Sequence, residues 1–322
     1  MCGIVGYVGP RAATPLLLEG LKRLEYRGYD SAGIAIMNGK GVETRKAPGK
    51  IAELESLVLS TPINGTLGIA HTRWATHGAP NFINAHPQMS CGENIAVVHN
   101  GIIENGSALR QALEDLGHTF RSDTDTEVLA HLIEEVYDGN LEQAVIEALS
   151  KVEGTYGIAV VCSEDRDKIV AARKGSPLLV GLGEGEYFIA SDVSAILAHT
   201  RQVIYLDDGD LAVLDRNGYQ IIDMNALPLE RGVATIDWDL DMIERGGFAH
   251  FMLKEIFEQP ETVRNTMRGR LLNETGTAKL GGLNLTSEEL LKFDNILITA
   301  CGTSWHSALI GEFLIEELAR VP

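Results

Sequence analysis

The sequence predicts a layered α+β domain over residues 1–226, with stacked sheets covered by helices, followed by a linker at 227–247 and a shorter α/β piece at 248–322. Three observations carry this. Short strand-like apolar runs crowd both ends of the first two thirds of the chain. Two consecutive helices lie between those runs, where βαβ units would alternate strand and helix. Beyond an acidic, glycine-containing break, a single strand-like run passes directly into a helix.

The elements follow in order. Cys2 to Gly9 is an apolar run (Ile4, Val5, Tyr7, Val8) punctuated by Gly3, Gly6 and Gly9, as in a buried strand whose backbone is closely approached. Leu16, Leu17, Leu21 and Leu24 recur at helical spacing, with Glu19, Lys22 and Arg23 on the other face. Further strand-like runs are Gly33 to Met37, Thr66 to His71, Asn94 to His99, Tyr156 to Cys162, Lys168 to Ala172, Tyr187 to Ala190 and Leu211 to Leu214. Val128, Leu129, Leu132, Ile133 and Val136 form one helical stripe, opened by Thr124 with Glu127 at capping-box spacing, and a second helix covers about Leu141 to Leu149. Leu227 to Gly247 shows no sustained periodicity. Phe248 to Leu272 reads as a helix interrupted at Pro260, and Asn295 to Ala300 as a strand leading through Cys301, Gly302, Thr303 and Ser304 into a helix from Trp305 to Arg320. A lone strand and helix cannot bury their faces, so this second piece is expected to be truncated or completed by another chain, with an exposed apolar face over 295–320.

A length of 322 residues also fits two folded units, at roughly 150 residues each. The formal charge of -18 repels polyanions and argues against nucleic-acid or anionic membrane partners. Cys2, Cys91, Cys162 and Cys301 form no CxxC pair, so neither a zinc knuckle nor a disulfide framework is expected. With no secretory n-region and no apolar run near the roughly 20 residues that span a bilayer, a cytoplasmic chain is expected; no metal and no cofactor is expected either.

Cys2 is the first residue with chemical meaning. Removal of Met1 would give it a free α-amine with a pKa of about 7.7–8.0, able to take the proton of its own thiol. A cysteine packed as a small hydrophobe is the alternative. His71-Thr72-Arg73-Trp74-Ala75-Thr76-His77-Gly78 leaves a strand too polar for burial; Arg73 could hold a carboxylate through two parallel hydrogen bonds, or simply stack with Trp74 on a surface. His71 and His77 have no carboxylate or cysteine close in sequence, which disfavours metal. His99-Asn100-Gly101 ends another strand, and an Asn amide beside a glycine N–H would make an oxyanion hole, whereas Asn-Gly alone marks a turn. Asp125 could accept a substrate ammonium or serve as a helix-dipole carboxylate. A nucleophile, an oxyanion hole, a cation and an anion together suit an α-amino acid with a side-chain amide, and glutamine is the obvious candidate.

Six segments recur in order: Met1 to Gly6, Leu24 to Gly33, His71 to Gly78, Asn84-Ala85-His86-Pro87, Val98 to Asn105 and Thr124 to Glu127. Over residues 1 to about 240 the chain thereby resembles the class II glutamine amidotransferases, and specifically the glucosamine-6-phosphate synthase family, to which the Arg27 to Gly33 run is the most specific pointer. The resemblance implies an αββα sandwich of the N-terminal nucleophile type. It implies Cys2 as nucleophile, Asn100 and Gly101 as oxyanion donors, Arg73 on the α-carboxylate and Asp125 on the α-amine. Thr76 and His77 would sit near the carboxylate, Trp74 at the mouth of an ammonia channel, and Arg27 and His86 in support. Residues 241–322 resemble the start of a sugar isomerase (SIS) domain, with His250 to Pro260 and Ala300 to Ser304 matching; Cys301, Gly302, Thr303 and Ser304 would offer part of a sugar-phosphate site at a helix N-terminus. The family implies L-glutamine and fructose 6-phosphate as substrates, a homodimer, and the first step of amino-sugar synthesis. This chain by itself is expected to hydrolyse glutamine without completing the sugar reaction. The competing readings are a non-catalytic glutamine or sugar-phosphate binding fragment and another class II amidotransferase.

Overall fold

A computed structural model describes residues 2–28, 30–75, 78–237, 248–267, 270–272, 276–278 and 285–322. The chain divides into two compact units, Met1–Phe251 and Met252–Pro322.

The first unit is built on two antiparallel sheets. In chain order its elements are β1 Gly3–Val8, α1 Ala13–Leu24, β2 Ser31–Asn38, β3 Gly41–Pro48, α2 Ile51–Ser60, β4 Leu67–Arg73, β5 Gln88–Met89, β6 Ile95–Ile103, α3 Gly106–Asp115, α4 Asp125–Val136 and α5 Leu141–Ser150. They continue with β7 Gly154–Cys162, β8 Lys168–Lys174, β9 Leu179–Leu182, β10 Tyr187–Ala190, β11 Gln202–Tyr205, β12 Leu211–Asp215, β13 Tyr219–Ile222 and β14 Ala234–Thr235. The eight-stranded sheet runs β14-β11-β9-β10-β1-β4-β2-β3 and the six-stranded sheet β13-β12-β8-β7-β6-β5.

Strand periodicity explains the layers. Along β1, Ile4 and Val8 enter a core shared with Ala96, Val98, Ala159, Val161, Ile169 and Ala171 of the other sheet, while Val5 and Tyr7 face α1. Along β6, Ala96 and Val98 point to that inter-sheet core and Ile95 and Val97 to the layer of α4 and α5. Strands buried on both faces read as continuous apolar runs, which is why these were legible. Each fully buried Ile, Leu or Val contributes roughly 1.5–3 kcal/mol, so the three apolar layers dominate stability. The architecture is the expected αββα sandwich.

Several elements depart from expectation. β3, GVETRKAP, closes one sheet edge with mostly half-buried polar residues, so it lacks an apolar run to recognise. The Thr124 hydroxyl does accept from the Glu127 N–H, but the Glu127 carboxylate does not return to the Thr124 N–H as a capping box would. It accepts from the N–H groups of Arg121 and Ser122, at 2.8 and 2.6 Å, and so ties the approach loop to α4. Inside the segment read as linker, β14 pairs with β11 and Ile236 is buried, so ordered sheet continues there.

The second unit contains a helix at Phe251–Met267, a two-stranded ribbon of Leu271–Leu272 with Thr277–Ala278, a short helix at Ser287–Leu290 and a helix at Gly302–Ala319. The expected break at Pro260 does not occur: one missing N–H leaves the rest of the helical ladder standing. The expected strand Asn295 to Ala300 is irregular, because no described strand lies alongside to pair with it. Leu297, Phe313 and Leu318 are largely exposed. Among the described residues no helix is long and apolar enough to cross a membrane.

Candidate active site

The two sheets bring β1, β4 and β6 to a common end. Gly3 of β1 pairs with Thr72 and Ile4 with His71, so Cys2 emerges beside the residues that leave β4. The Cys2 sulfur lies between the backbone groups of Trp74: it accepts from the Trp74 N–H at 3.1 Å and reaches the Trp74 carbonyl at 3.5 Å. Burial raises the thiol pKa above its ordinary value, against the lowering by the Trp74 N–H. Ser191 secures the strand start, its hydroxyl accepting from the Ile4 N–H at 2.9 Å and its own N–H donating to the Ile4 carbonyl.

Asn100 projects from β6, which runs in the other sheet. Its amide NH2 donates to the Cys2 carbonyl at 3.2 Å, an acceptor only, so its Oδ1 faces His71 Nε2 at 3.0 Å. His71 Nε2 also lies 3.1 Å from the His99 carbonyl. Two acceptors at one nitrogen require it to carry the proton, and His71 thereby holds the Asn100 amide with its NH2 turned toward Cys2. The next residue, Gly101, sits at φ +141, where a Cβ would lie 2.1 Å from the Thr155 carbonyl oxygen; no other residue fits.

Behind this pair lies a chain of imidazoles. His99 Nε2 donates to the Thr155 carbonyl, so its Nδ1 accepts from the Thr126 hydroxyl at 3.0 Å, and that oxygen in turn accepts from His86 Nε2 at 2.7 Å. His86 stacks on His71 with centroids 4.3 Å apart. The Nδ1 atoms of His71 and His86 are buried with no partner among the described residues, an arrangement open only to neutral rings. Burial accordingly lowers the His71 pKa to about 3 and pushes His86 well below its ordinary value. A base with a depressed folded pKa leaves the unfolded chain the better proton binder, so stability present above about pH 6.5 is lost on acidification toward pH 3. We predict that the unfolding free energy from urea denaturation falls between pH 6.5 and 4 by an amount on the order of 1 kcal/mol per pH unit per ring, carrying the midpoint down with it, and that His86→Gln, which keeps a donor for Thr126, flattens the slope. A midpoint unchanged over that range would contradict the neutral pair.

Contrary to the expectation that this run is too polar for burial, β4 carries His71, Thr72 and Arg73 into the interior, and the Arg73 guanidinium donates to the carbonyls of Gly78 and Ala79 at 3.2 and 3.4 Å. The Asp125 carboxylate, in the first turn of α4, accepts from the Ile103 N–H at 3.0 Å and fixes the end of β6 to that helix. Cys2, Arg73, Trp74, His86, Asn100, Gly101 and Asp125 all line one cavity of about 390 Å³, a volume in the usual range for small-molecule sites. The expected Thr76, His77 and the Arg27 side chain lie outside the described residues. Cys301, Gly302, Thr303 and Ser304 belong to the second unit, where Cys301 precedes the helix and the other three form its first turn. Sequence reasoning missed Thr126, Thr155 and Ser191, whose hydroxyl or carbonyl contacts carry no spacing signal. It also gave Asp30 no role, although its carboxylate accepts from the Ala75 N–H and steadies the exit from β4.

The fold is that of the N-terminal-nucleophile amidotransferases. Residues 78–198 match the family model described as Glutamine amidotransferase domain. Across its whole length the chain is similar to glutamine--fructose-6-phosphate aminotransferases (isomerizing), with 54% identity to that of Chlorobaculum tepidum and 55% to one from Thermus thermophilus. It spans about half the length of these curated relatives, 53% and 52%. Among solved structures it is similar to the glutamine phosphoribosylpyrophosphate amidotransferase from B. subtilis, with a TM-score of 0.62 and 27% identity, over 69% of this chain and 49% of that one. A second, described as the allosteric regulatory enzyme of purine biosynthesis, gives a TM-score of 0.62 and 28% identity over the same shares. The resemblance carried by the six motifs therefore stands.

Proposed function

We propose that the first unit hydrolyses L-glutamine to glutamate and ammonia through a thioester on Cys2, after removal of Met1. The observation that supports this most directly is the shared cavity, which places a thiol, an oriented amide donor, a guanidinium and a carboxylate around one ligand-sized space. The α-amine of Cys2 takes the thiol proton; the sulfur attacks the carboxamide carbon; and the oxyanion is met by the Asn100 amide and the Gly101 N–H. The proton passes to departing ammonia, and water then cleaves the thioester to glutamate. Arg73 and Asp125 hold the α-carboxylate and α-amine.

In the whole protein, the ammonia would pass to fructose 6-phosphate and yield glucosamine 6-phosphate, a reading supported by relatives named as glutamine--fructose-6-phosphate aminotransferases (isomerizing). The second unit would be the start of the sugar isomerase domain, with Cys301 to Ser304 contributing to its phosphate site. Exposed Leu297, Phe313 and Leu318 fit a unit that buries this face in a homodimer. A thiolate nucleophile requires a reducing compartment, which favours the cytoplasm.

The test is glutamate release from L-glutamine by chain of verified N-terminal mass. Turnover by processed chain and none by chain retaining Met1 supports the reading; equal turnover by both removes the α-amine from the mechanism. Arg73→Lys keeps the charge but loses the planar fork, and we predict a KM for L-glutamine raised about tenfold or more with little change in kcat.

A further inference from the structure

Away from the active-site cavity, Cys91, His118 and His131 place their ligand atoms within 4.8 Å of one another. We propose that they bind a divalent cation of the zinc class as a structural clip between the loop after β5, the loop after α3, and α4.

The orientation of the rings carries the proposal. His118 Nε2 lies 2.9 Å from the Glu135 carboxylate, and His131 Nε2 faces the Glu127 carboxylate at 3.6 Å. The Glu135 carboxylate at hydrogen-bond distance holds a proton on His118 Nε2 and leaves its Nδ1 as a lone pair, the arrangement of metal-bound histidines, and Glu127 stands where it would do the same for His131 Nε2 once an ion takes the other nitrogen. Both Nδ1 atoms then face each other, 3.2 Å apart. Two ligands about 2.0–2.1 Å from a tetrahedral zinc would sit about 3.3 Å apart, so the observed spacing matches one ion between them. His131 is almost wholly buried and stacks on Phe120 with centroids 4.3 Å apart, so its ring is fixed before any ion arrives.

The third ligand is also placed. The Glu134 carboxylate accepts from the N–H groups of Cys91 and Gly92, at 3.0 and 2.8 Å, pinning the loop that carries the thiol. One Glu134 oxygen lies 3.8 Å from His118 Nδ1 and is within reach of a fourth position. Two imidazoles, a thiolate and an oxygen donor suit zinc rather than magnesium or calcium. Cys91 and His131 also line a cavity of about 620 Å³, through which an ion could enter. Because the three residues come from separate segments, no motif spacing announces them.

The experiment uses the full chain carrying Cys2→Ala, which removes the competing nucleophilic thiol, stripped with chelator and titrated with Co(II). One Co(II) per chain, with thiolate charge-transfer and tetrahedral d–d absorption displaced by Zn(II), is expected. Adding Cys91→Ser, at an exposed position, should abolish the charge-transfer band; His118→Gln should weaken binding at least about tenfold, with circular dichroism unchanged in both. The absence of saturable binding, or binding unaltered by either substitution, would overturn the proposal and leave the His118–His131 contact as an ordinary hydrogen bond.

Discussion

Asn100→Ala is expected to lower kcat for glutamine hydrolysis by about 10²–10³, some 2.7–4 kcal/mol of transition-state stabilisation, while KM changes little. The amide is positioned before substrate arrives: His71 holds its oxygen at 3.0 Å, and its NH2 lies 3.2 Å from the Cys2 carbonyl. A donor fixed in advance matters when charge develops on the substrate oxygen, not when neutral glutamine binds, which is why the loss should appear in kcat. Steady-state kinetics of the variant measure this. A rise in KM with unchanged kcat would make Asn100 a ground-state binder and move the oxyanion hole elsewhere.

Gly101→Ala is expected to cost about 3 kcal/mol or more of stability, and to remove activity even in whatever fraction folds. The added methyl would lie 2.1 Å from the Thr155 carbonyl and 2.9 Å from His99 Nε2, on a backbone at φ +141. Relief requires parting β6 from β7, whose pairing sets Gly101 opposite Tyr156 and Asn100 opposite Gly157. Chemical denaturation and glutamate release on the same preparation check both halves. Wild-type stability in the variant would mean that the two strands separate at this point without cost.

The central strands were readable because both their faces are buried: β1, β4 and β6 appear as apolar runs, β4 and β6 running out into polar residues and β1 starting just after Cys2, and those ends are where the cavity forms. Cys2, Arg73, Asn100, Gly101 and Asp125 were legible through chemistry unusual for a strand end or a helix start. The edge strand β3 was not, since its polar residues satisfy an edge and leave no period to follow. Nor was the linkage from Thr126 to His86 and His99, because a threonine in a first helical turn reads as part of a cap. The strand expected at Asn295 to Ala300 shows the converse limit: an apolar run specifies a strand only where a neighbour offers its hydrogen bonds.

The most direct test of the central claim is glutamate release from L-glutamine by the wild-type chain beside Cys2→Ala, both with Met1 shown to be absent by mass. The account predicts turnover by the wild type and none above background by the variant, with its fold intact by circular dichroism. Equal release by both proteins would contradict it, because the cavity would then be hydrolysing an amide without its sulfur.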